Sequence, residues 1–72
     1  MYLYTVTQDE LYLPETGKYR TYGIRVEGAG GEEFLNVSDI STDRKMVEDL
    51  AKRCTDGQLA PAQLFEIIED LL

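Results

Sequence analysis

Side chains that can do chemistry are few in this chain of 72 residues, which contains no histidine and one cysteine, Cys54. A nucleophilic cysteine needs a lowered thiol pKa and a base that orients it. Cys54 instead falls in the apolar stripe of a predicted helix, where the adjacent Lys52 and Arg53 project elsewhere. We therefore predict a buried, unreactive thiol. Because most zinc, haem and iron–sulfur sites need histidine or several thiols, no metal or other cofactor is expected.

Acidic residues could supply a general acid and base, or bind a hard cation. They occur mainly as neighbours in sequence, at Glu32-Glu33, Glu48-Asp49 and Glu69-Asp70. Adjacent side chains on a strand or helix point in different directions, so these pairs do not converge on one metal or substrate. We interpret them as solvated surface and expect no enzymatic activity. A small-ligand site built from distant carboxylates is the less favoured alternative.

The segment Leu13-Pro14-Glu15-Thr16-Gly17 matches the LPxTG signal that sortases cleave between Thr and Gly. A sorting signal normally precedes an apolar span and a basic tail near a C-terminus, and neither pattern follows the segment here. Proline and glycine also suit the geometry of a tight turn. We therefore predict a hairpin turn at this position.

Basic and aromatic residues alternate around the second predicted strand, at Lys18, Tyr19, Arg20 and Arg25. Exposed aromatic rings on a sheet can stack on bases while Lys and Arg contact phosphates. The net charge of −7 opposes such contacts over the molecule as a whole. Nucleic-acid binding is therefore an alternative function and is not the favoured one.

Strand composition dominates the first forty residues, and helical composition the remainder. The predicted strands are Tyr2–Leu13, Tyr19–Glu27 and Glu32–Val37, joined by turns at Pro14–Gly17 and Gly28–Gly31. In the first strand the core-forming apolar residues have even numbers near the start and odd numbers near the end. A bulge near Asp9 would keep both sets facing one core. The three strands are expected to form an antiparallel meander.

Two helices follow in the prediction. The first runs from about Asp43 to Cys54, with Ser41 or Thr42 as its N-cap and Gly57 as a left-handed C-cap. The second begins at Pro61 and carries a wide apolar stripe that extends to Leu72. The expected fold is therefore α+β, a single domain over residues 1–72 in the order βββαα, with both helices on one face of the sheet.

Several segments resemble a family of short, functionally uncharacterised proteins found mainly in clostridial bacteria. The resemblance covers nearly the whole chain and rests on Tyr12–Tyr19, Tyr22–Ile24, Ser38–Asp43, Val47, Leu50, Cys54, Leu59, Pro61 and Ile67–Leu71. It implies an intracellular bacterial protein with one domain. It implies no activity and no site residue.

The favoured function is binding to another protein, either a different one or a second copy in a homodimer. Two short helices cover one face of a sheet and leave the other face and an edge available. The candidate surface comprises Tyr19, Arg20, Arg25, Phe34 and Leu72, with Tyr19 and Phe34 expected on the open face. The chain has no apolar stretch long enough to span a bilayer, so we expect a cytoplasmic protein without membrane contact.

Overall fold

Three strands and two helices make up the fold in the computed structural model, which describes residues 1–71, except for the side chain of Leu71. The order is β1 (Tyr2–Leu13), β2 (Gly17–Gly28), β3 (Glu33–Ser41), α1 (Arg44–Asp56) and α2 (Pro61–Leu71). The strands form one antiparallel sheet in the order β1-β2-β3. The predicted α+β architecture with the order βββαα is confirmed.

Strands β1 and β2 pair in a single register along their whole length. Tyr2 lies opposite Gly28, and the pairing continues without a shift to Leu13 opposite Gly17. The predicted bulge near Asp9 is therefore wrong. Because the register does not change, the even-numbered apolar residues of β1 face one side of the sheet and the odd-numbered ones face the other.

Strand β3 carries the irregularities instead. Tyr22 pairs with Ser41 and Ile24 with Val37, so three residues, Ser38 to Ile40, stand opposite Gly23 alone. Asp39 lies in this bulge with φ of 55°. The bulge lets β3 continue beyond the predicted end at Val37 to Ser41, one of the two residues predicted as the N-cap of the first helix.

Both helices pack on the face of the sheet that carries the even-numbered residues of β1 and β2. Val47 and Cys54 of α1 and Leu64 of α2 are buried in the core cluster on this face. The complete core cluster contains Tyr4, Tyr22, Ile24, Val26, Ile40, Val47, Ala51, Cys54, Leu64 and Ile68. Tyr22, Ile24 and Val26, which alternate along β2, and the helical stripe predicted for α1 therefore point toward one common core.

The helix ends differ in detail from their prediction. Asp43 is the N-cap of α1, and its carboxylate accepts the Met46 N–H at 3.3 Å, while Ser41 Oγ accepts the Asp43 N–H at 3.0 Å. At the C-terminus Gly57 is right-handed, with φ of −86°, and Gln58 takes the left-handed conformation instead, with φ of 49°. Helix α2 begins at Pro61 as predicted.

The first hairpin extends beyond the rest of the molecule. Strand β3 pairs with β2 between Tyr22 and Glu27, so the residues nearer the first turn form a two-stranded ribbon. The molecule accordingly measures 41 Å along its longest axis and 25 and 18 Å along the others. We call residues 9–20 of this ribbon the hairpin arm.

Candidate functional site

The hairpin arm has an apolar face and a charged face. The unbroken register places Leu11 directly opposite Tyr19, and Leu13 lies on the same face. Tyr12 and Glu10 lie on the other face, opposite Lys18 and Arg20 respectively. Tyr12 is 68% exposed and Leu13 is 47% exposed. The arm therefore presents large apolar side chains to solvent on a segment that the core does not cover.

The outer edge of β1 is covered at its beginning by the C-terminal end of α1. The Tyr2 N–H donates to Gln58 Oε1 at 2.8 Å, and Gln58 Nε2 donates to the Tyr2 carbonyl at 3.1 Å. The Tyr4 N–H donates to Thr55 Oγ1 at 3.1 Å, and the Thr55 hydroxyl donates to the Tyr4 carbonyl at 3.4 Å. Thr55 of α1 and Gln58, which follows the C-cap of this helix, thus occupy the place that a neighbouring strand would take.

Beyond Tyr4 this edge is open. In an antiparallel pair, alternate residues direct their backbone groups toward the partner strand and away from it. Tyr2 and Tyr4 direct theirs outward, so the even-numbered residues from Val6 to Tyr12 do the same. Within residues 1–71, no strand or side chain bonds to these outward groups. The open edge therefore coincides with the exposed arm.

Both arginines of the predicted surface are engaged by carboxylates. Arg25 Nε lies 3.1 Å from Glu27 Oε1 and 3.2 Å from Glu33 Oε1 on the sheet face opposite the helices. Arg20 Nη2 lies 3.8 Å from Glu10 Oε1 across the arm. The two guanidinium groups are separated along β2 and do not form one cationic patch.

Phe34 does not lie on the open face where we expected it. The register shifts between Val26 and Glu27, and Phe34 is the extra residue of β3 at this shift. Its ring packs edge-on against the ring of Tyr2, with centroids 5.7 Å apart, and covers Gly28. Because Tyr2 packs against the core cluster, the bulge turns Phe34 toward the helix side, although its side chain remains 53% exposed.

Tyr19 and Leu72 are the remaining residues of the predicted surface. Tyr19 is half-buried against the arm, and Leu72 lies outside the described residues. The structure thus joins Tyr19 and Arg20 in the hairpin arm and separates Arg25 and Phe34 from them. Sequence reasoning missed Leu11, Tyr12 and the open edge as members of one surface. The signal was present in the change of apolar positions along β1, which we had attributed to a bulge.

Titratable groups of the core show the expected effect of burial. Burial raises the pKa of the Cys54 thiol above its ordinary value. The pKa of the Tyr4 hydroxyl is also raised, first by burial and then by the nearby ionisable Cys54 and Tyr2, and this hydroxyl donates to the Leu59 carbonyl. Cys54 is buried as predicted, in surroundings that disfavour a thiolate.

A shallow apolar groove lies between the two helices. It has a volume of about 320 Å³ and is lined by Leu50, Cys54, Leu59 and Ile67, with Arg53 at its rim. Across residues 1–71, His, Cys, Asp and Glu side chains form no group of three that could hold a metal ion. In the same part of the chain, neither α1 nor α2 combines the length and the apolar character needed to cross a membrane.

Comparison with known proteins defines the family and leaves the activity undefined. No curated protein and no solved structure matches the chain. A sequence model of the family of unknown function DUF6514 matches residues 1–72, from the first strand to the end of the second helix. This match agrees with the predicted resemblance to a family of functionally uncharacterised proteins. The chain is a member of the DUF6514 family of unknown function.

Proposed function

We propose that this chain is a non-enzymatic cytoplasmic domain that binds other polypeptides through its hairpin arm. The observation that carries the proposal is the open edge of β1, whose outward backbone groups lie beside the exposed side chains of Tyr12 and Leu13. Unpaired strand edges of this kind are templates for pairing with another chain. A partner segment would add to the sheet as an extra strand next to β1.

The arm offers both the backbone groups and the side chains through which a sheet edge recognises an added strand. Backbone hydrogen bonds to the added strand supply affinity, and side chains at alternate positions supply specificity. In the arm the outward backbone groups belong to even-numbered residues such as Glu10 and Tyr12. Leu11 and Leu13 offer apolar contacts on one face of the added strand, and Glu10 and Tyr12 offer polar and aromatic contacts on the other.

Nucleic-acid binding through Lys18, Tyr19, Arg20 and Arg25 is the weaker proposal. A phosphate would have to compete with Glu27 and Glu33 for Arg25. The net charge of −7 adds general repulsion. The groove between the helices supports a small-ligand function no better, because Arg53 is the one charged residue in its lining.

The proposal is tested by asking whether a variant that lacks one backbone hydrogen-bond donor of the open edge still captures protein partners. Proline at position 10 removes an outward N–H that β2 does not use, so the hairpin can keep its internal hydrogen bonds. We expect Glu10→Pro to abolish capture of protein partners from a clostridial lysate. The unsubstituted chain should retain them after nuclease treatment. Bound proteins are identified by mass spectrometry and nucleic acids by staining.

Glu10→Ala is the matched control, because it removes the same carboxylate and its contact with Arg20 but keeps the backbone N–H. It should still capture protein partners, because the backbone N–H that would pair with an added strand is kept. Equal capture by Glu10→Pro and Glu10→Ala would contradict the edge as the binding surface. Loss of all bound material on nuclease treatment would instead favour the nucleic-acid alternative.

A further inference from the structure

We infer that the strand added to the open edge of β1 is β1 of a second copy of this chain, with Leu11 of each copy facing Leu11 of the other. This inference rests on the proposed function and names the partner of that surface. The two copies would be related by a two-fold axis that passes between the two Leu11 residues. An interface of this type uses the same surface on both chains.

The possible registers follow from the direction of the backbone groups. In an antiparallel pair of β1 edges, outward even-numbered residues must face outward even-numbered residues. A two-fold axis at Asp9 would place Asp9 opposite its own copy, and an axis at Glu10 would do the same for Glu10. Like charges directly opposite each other destabilise a sheet. These two registers are therefore unfavourable.

Registers centred nearer the start of β1 meet the covered part of the edge. An axis at Gln8 would bring Tyr12 of the second copy to Tyr4, whose backbone N–H and carbonyl are already bonded to Thr55. An axis at Tyr12 would bring Pro14, which has no N–H, opposite Glu10. The register centred on Leu11 avoids the like-charge and covered-edge conflicts, and Pro14 falls opposite Gln8, just outside the paired residues 9–13.

This register also matches the side chains. Leu11 faces Leu11, and each is flanked on β2 by Tyr19, so an apolar row crosses both hairpin arms. Glu10 faces Tyr12 of the second copy, and Leu13 faces Asp9, so neither pairing opposes like charges. The second strand then runs beyond the first turn and away from α1. The covered end of the edge takes no part in the contact.

The overlap is limited to residues 9–13 of each chain, which predicts weak association. A strand pair of this length buries less surface than the roughly 1,200 Å² of a standard stable interface. The net charge of −7 on each copy weakens it further. We therefore expect a weak monomer–dimer equilibrium in which the monomer predominates at low concentration.

Disulfide trapping tests the register directly. Residues at a non-hydrogen-bonded pair lie about 4.5 Å apart at Cα, within the range that a disulfide spans. In a Cys54→Ala background, Leu11→Cys should form an intermolecular disulfide on mild oxidation at least about tenfold faster than Leu13→Cys. Leu13 and its copy would be about 13 Å apart along the strands, which is too far for a bond. Equal rates for the two variants would overturn the inference.

Sedimentation of the unsubstituted chain gives a second readout that needs no cysteine variant. The mean mass should rise with concentration up to about 1 mM. Glu10→Pro should remain monomeric, whereas Glu10→Ala, which loses the same side chain but keeps the backbone N–H, should still associate. A chain that remains monomeric throughout would overturn self-pairing. If Glu10→Pro nevertheless abolishes capture of a different protein, the proposed function stands without self-pairing. If Glu10→Pro abolishes neither capture nor self-association, both the proposed function and self-pairing at the open edge fail.

Discussion

At the scale of single residues, Gly23 shows why one position of β2 must lack a side chain. A Cβ built there would lie 2.2 Å from the Val37 carbonyl oxygen and 2.9 Å from Ser38 Cα. Both contacts are to backbone, which cannot rotate away as a side chain can. The bulge of β3 can therefore close over β2 at Gly23 because the position has no Cβ.

We expect Gly23→Ala to lower the free energy of unfolding by at least about 2 kcal/mol, since β3 must shift to admit the methyl group. Urea unfolding followed by circular dichroism measures the change. Gly30→Ala is the control, because its Cβ would meet the movable carboxylate of Glu32. It should change stability by no more than about 0.5 kcal/mol. Comparable losses in the two variants would contradict a backbone clash specific to Gly23.

The buried Cys54 thiol makes stability depend on alkaline pH. Burial raises its pKa above the ordinary value of 9.0, so the unfolded chain releases this proton at lower pH than the folded chain. Stability is therefore fully present below the ordinary value and falls as the pH rises through it. Tyr4, whose pKa is also raised, contributes a further fall at higher pH.

We expect the free energy of unfolding to decrease more steeply between about pH 8 and pH 10 in the unsubstituted chain than in Cys54→Ala. Urea unfolding at several pH values measures the slopes. A packing loss caused by the substitution would lower stability equally at every pH. Ionisation of the thiol changes the slope, so comparing slopes separates the two effects. Identical slopes would contradict a raised thiol pKa, as would rapid labelling of Cys54 in the folded protein.

At the scale of elements, α1 stabilises the sheet through hydrogen bonds as well as through its apolar face. Thr55 and Gln58 bond both backbone groups of Tyr4 and Tyr2 at the edge of β1. A strand edge is usually protected by charge, proline or a covering element. Here the end of a helix protects one part of the edge and leaves the hairpin arm open.

Thr55→Val should reduce the free energy of unfolding by about 1–2 kcal/mol, because it leaves the Tyr4 N–H and carbonyl without their partner while keeping the side-chain shape. Thr42→Val is the matched control at an exposed position between β3 and α1. Thermal unfolding of both variants under one set of conditions makes the comparison. A loss for Thr42→Val equal to that for Thr55→Val would contradict an edge-specific role.

The first turn bears on the sortase-like match. The Thr16 N–H donates to the Leu13 carbonyl at 3.2 Å, and Gly17 has φ of 81°. A cleaving enzyme must enclose the Thr16–Gly17 bond, so this hydrogen-bonded turn would have to open first. We expect the folded chain to resist sortase under conditions in which a peptide of residues 11–19 is cleaved between Thr16 and Gly17. Mass spectrometry follows both, and equal cleavage would show that the turn opens readily.

At the scale of the whole molecule, charge determines how association responds to salt. Each copy carries a net charge of −7, so pairing two copies brings like charges together. Salt screens this repulsion, with a Debye length of about 10 Å at 0.1 M. Self-association should therefore strengthen as ionic strength rises, whereas binding to nucleic acid weakens.

We expect the dissociation constant for self-association to fall severalfold between about 50 mM and about 500 mM salt, measured by sedimentation equilibrium. Lys18→Glu adds to the negative charge of the arm opposite Tyr12 and should steepen this dependence. Lys52→Glu makes the same change of charge on an exposed part of α1 and should have a smaller effect. Association that weakens with salt would contradict the charge argument.

Local sequence patterns were enough to predict the strand order, the two helices and most of the core. Alternation in β2 and the helical spacing of Val47, Ala51 and Cys54 are local patterns, and burial of an apolar face follows directly from each. The predicted start of α2 at Pro61 was equally local, because proline fixes φ at the first helical position.

The places where the sheet departs from regularity, and with them the candidate site, depend on contacts between strands that are distant in sequence. Whether the change of apolar positions in β1 produces a bulge or two opposite apolar faces depends on β2, whose continuous pairing chooses the second. The placement of Phe34 and Asp39 likewise depends on how β3 crosses Gly23 and Gly28. Strand register is a contact between distant residues, so patterns within one strand cannot specify it. The open edge of the arm is a consequence of that register and of where α1 ends.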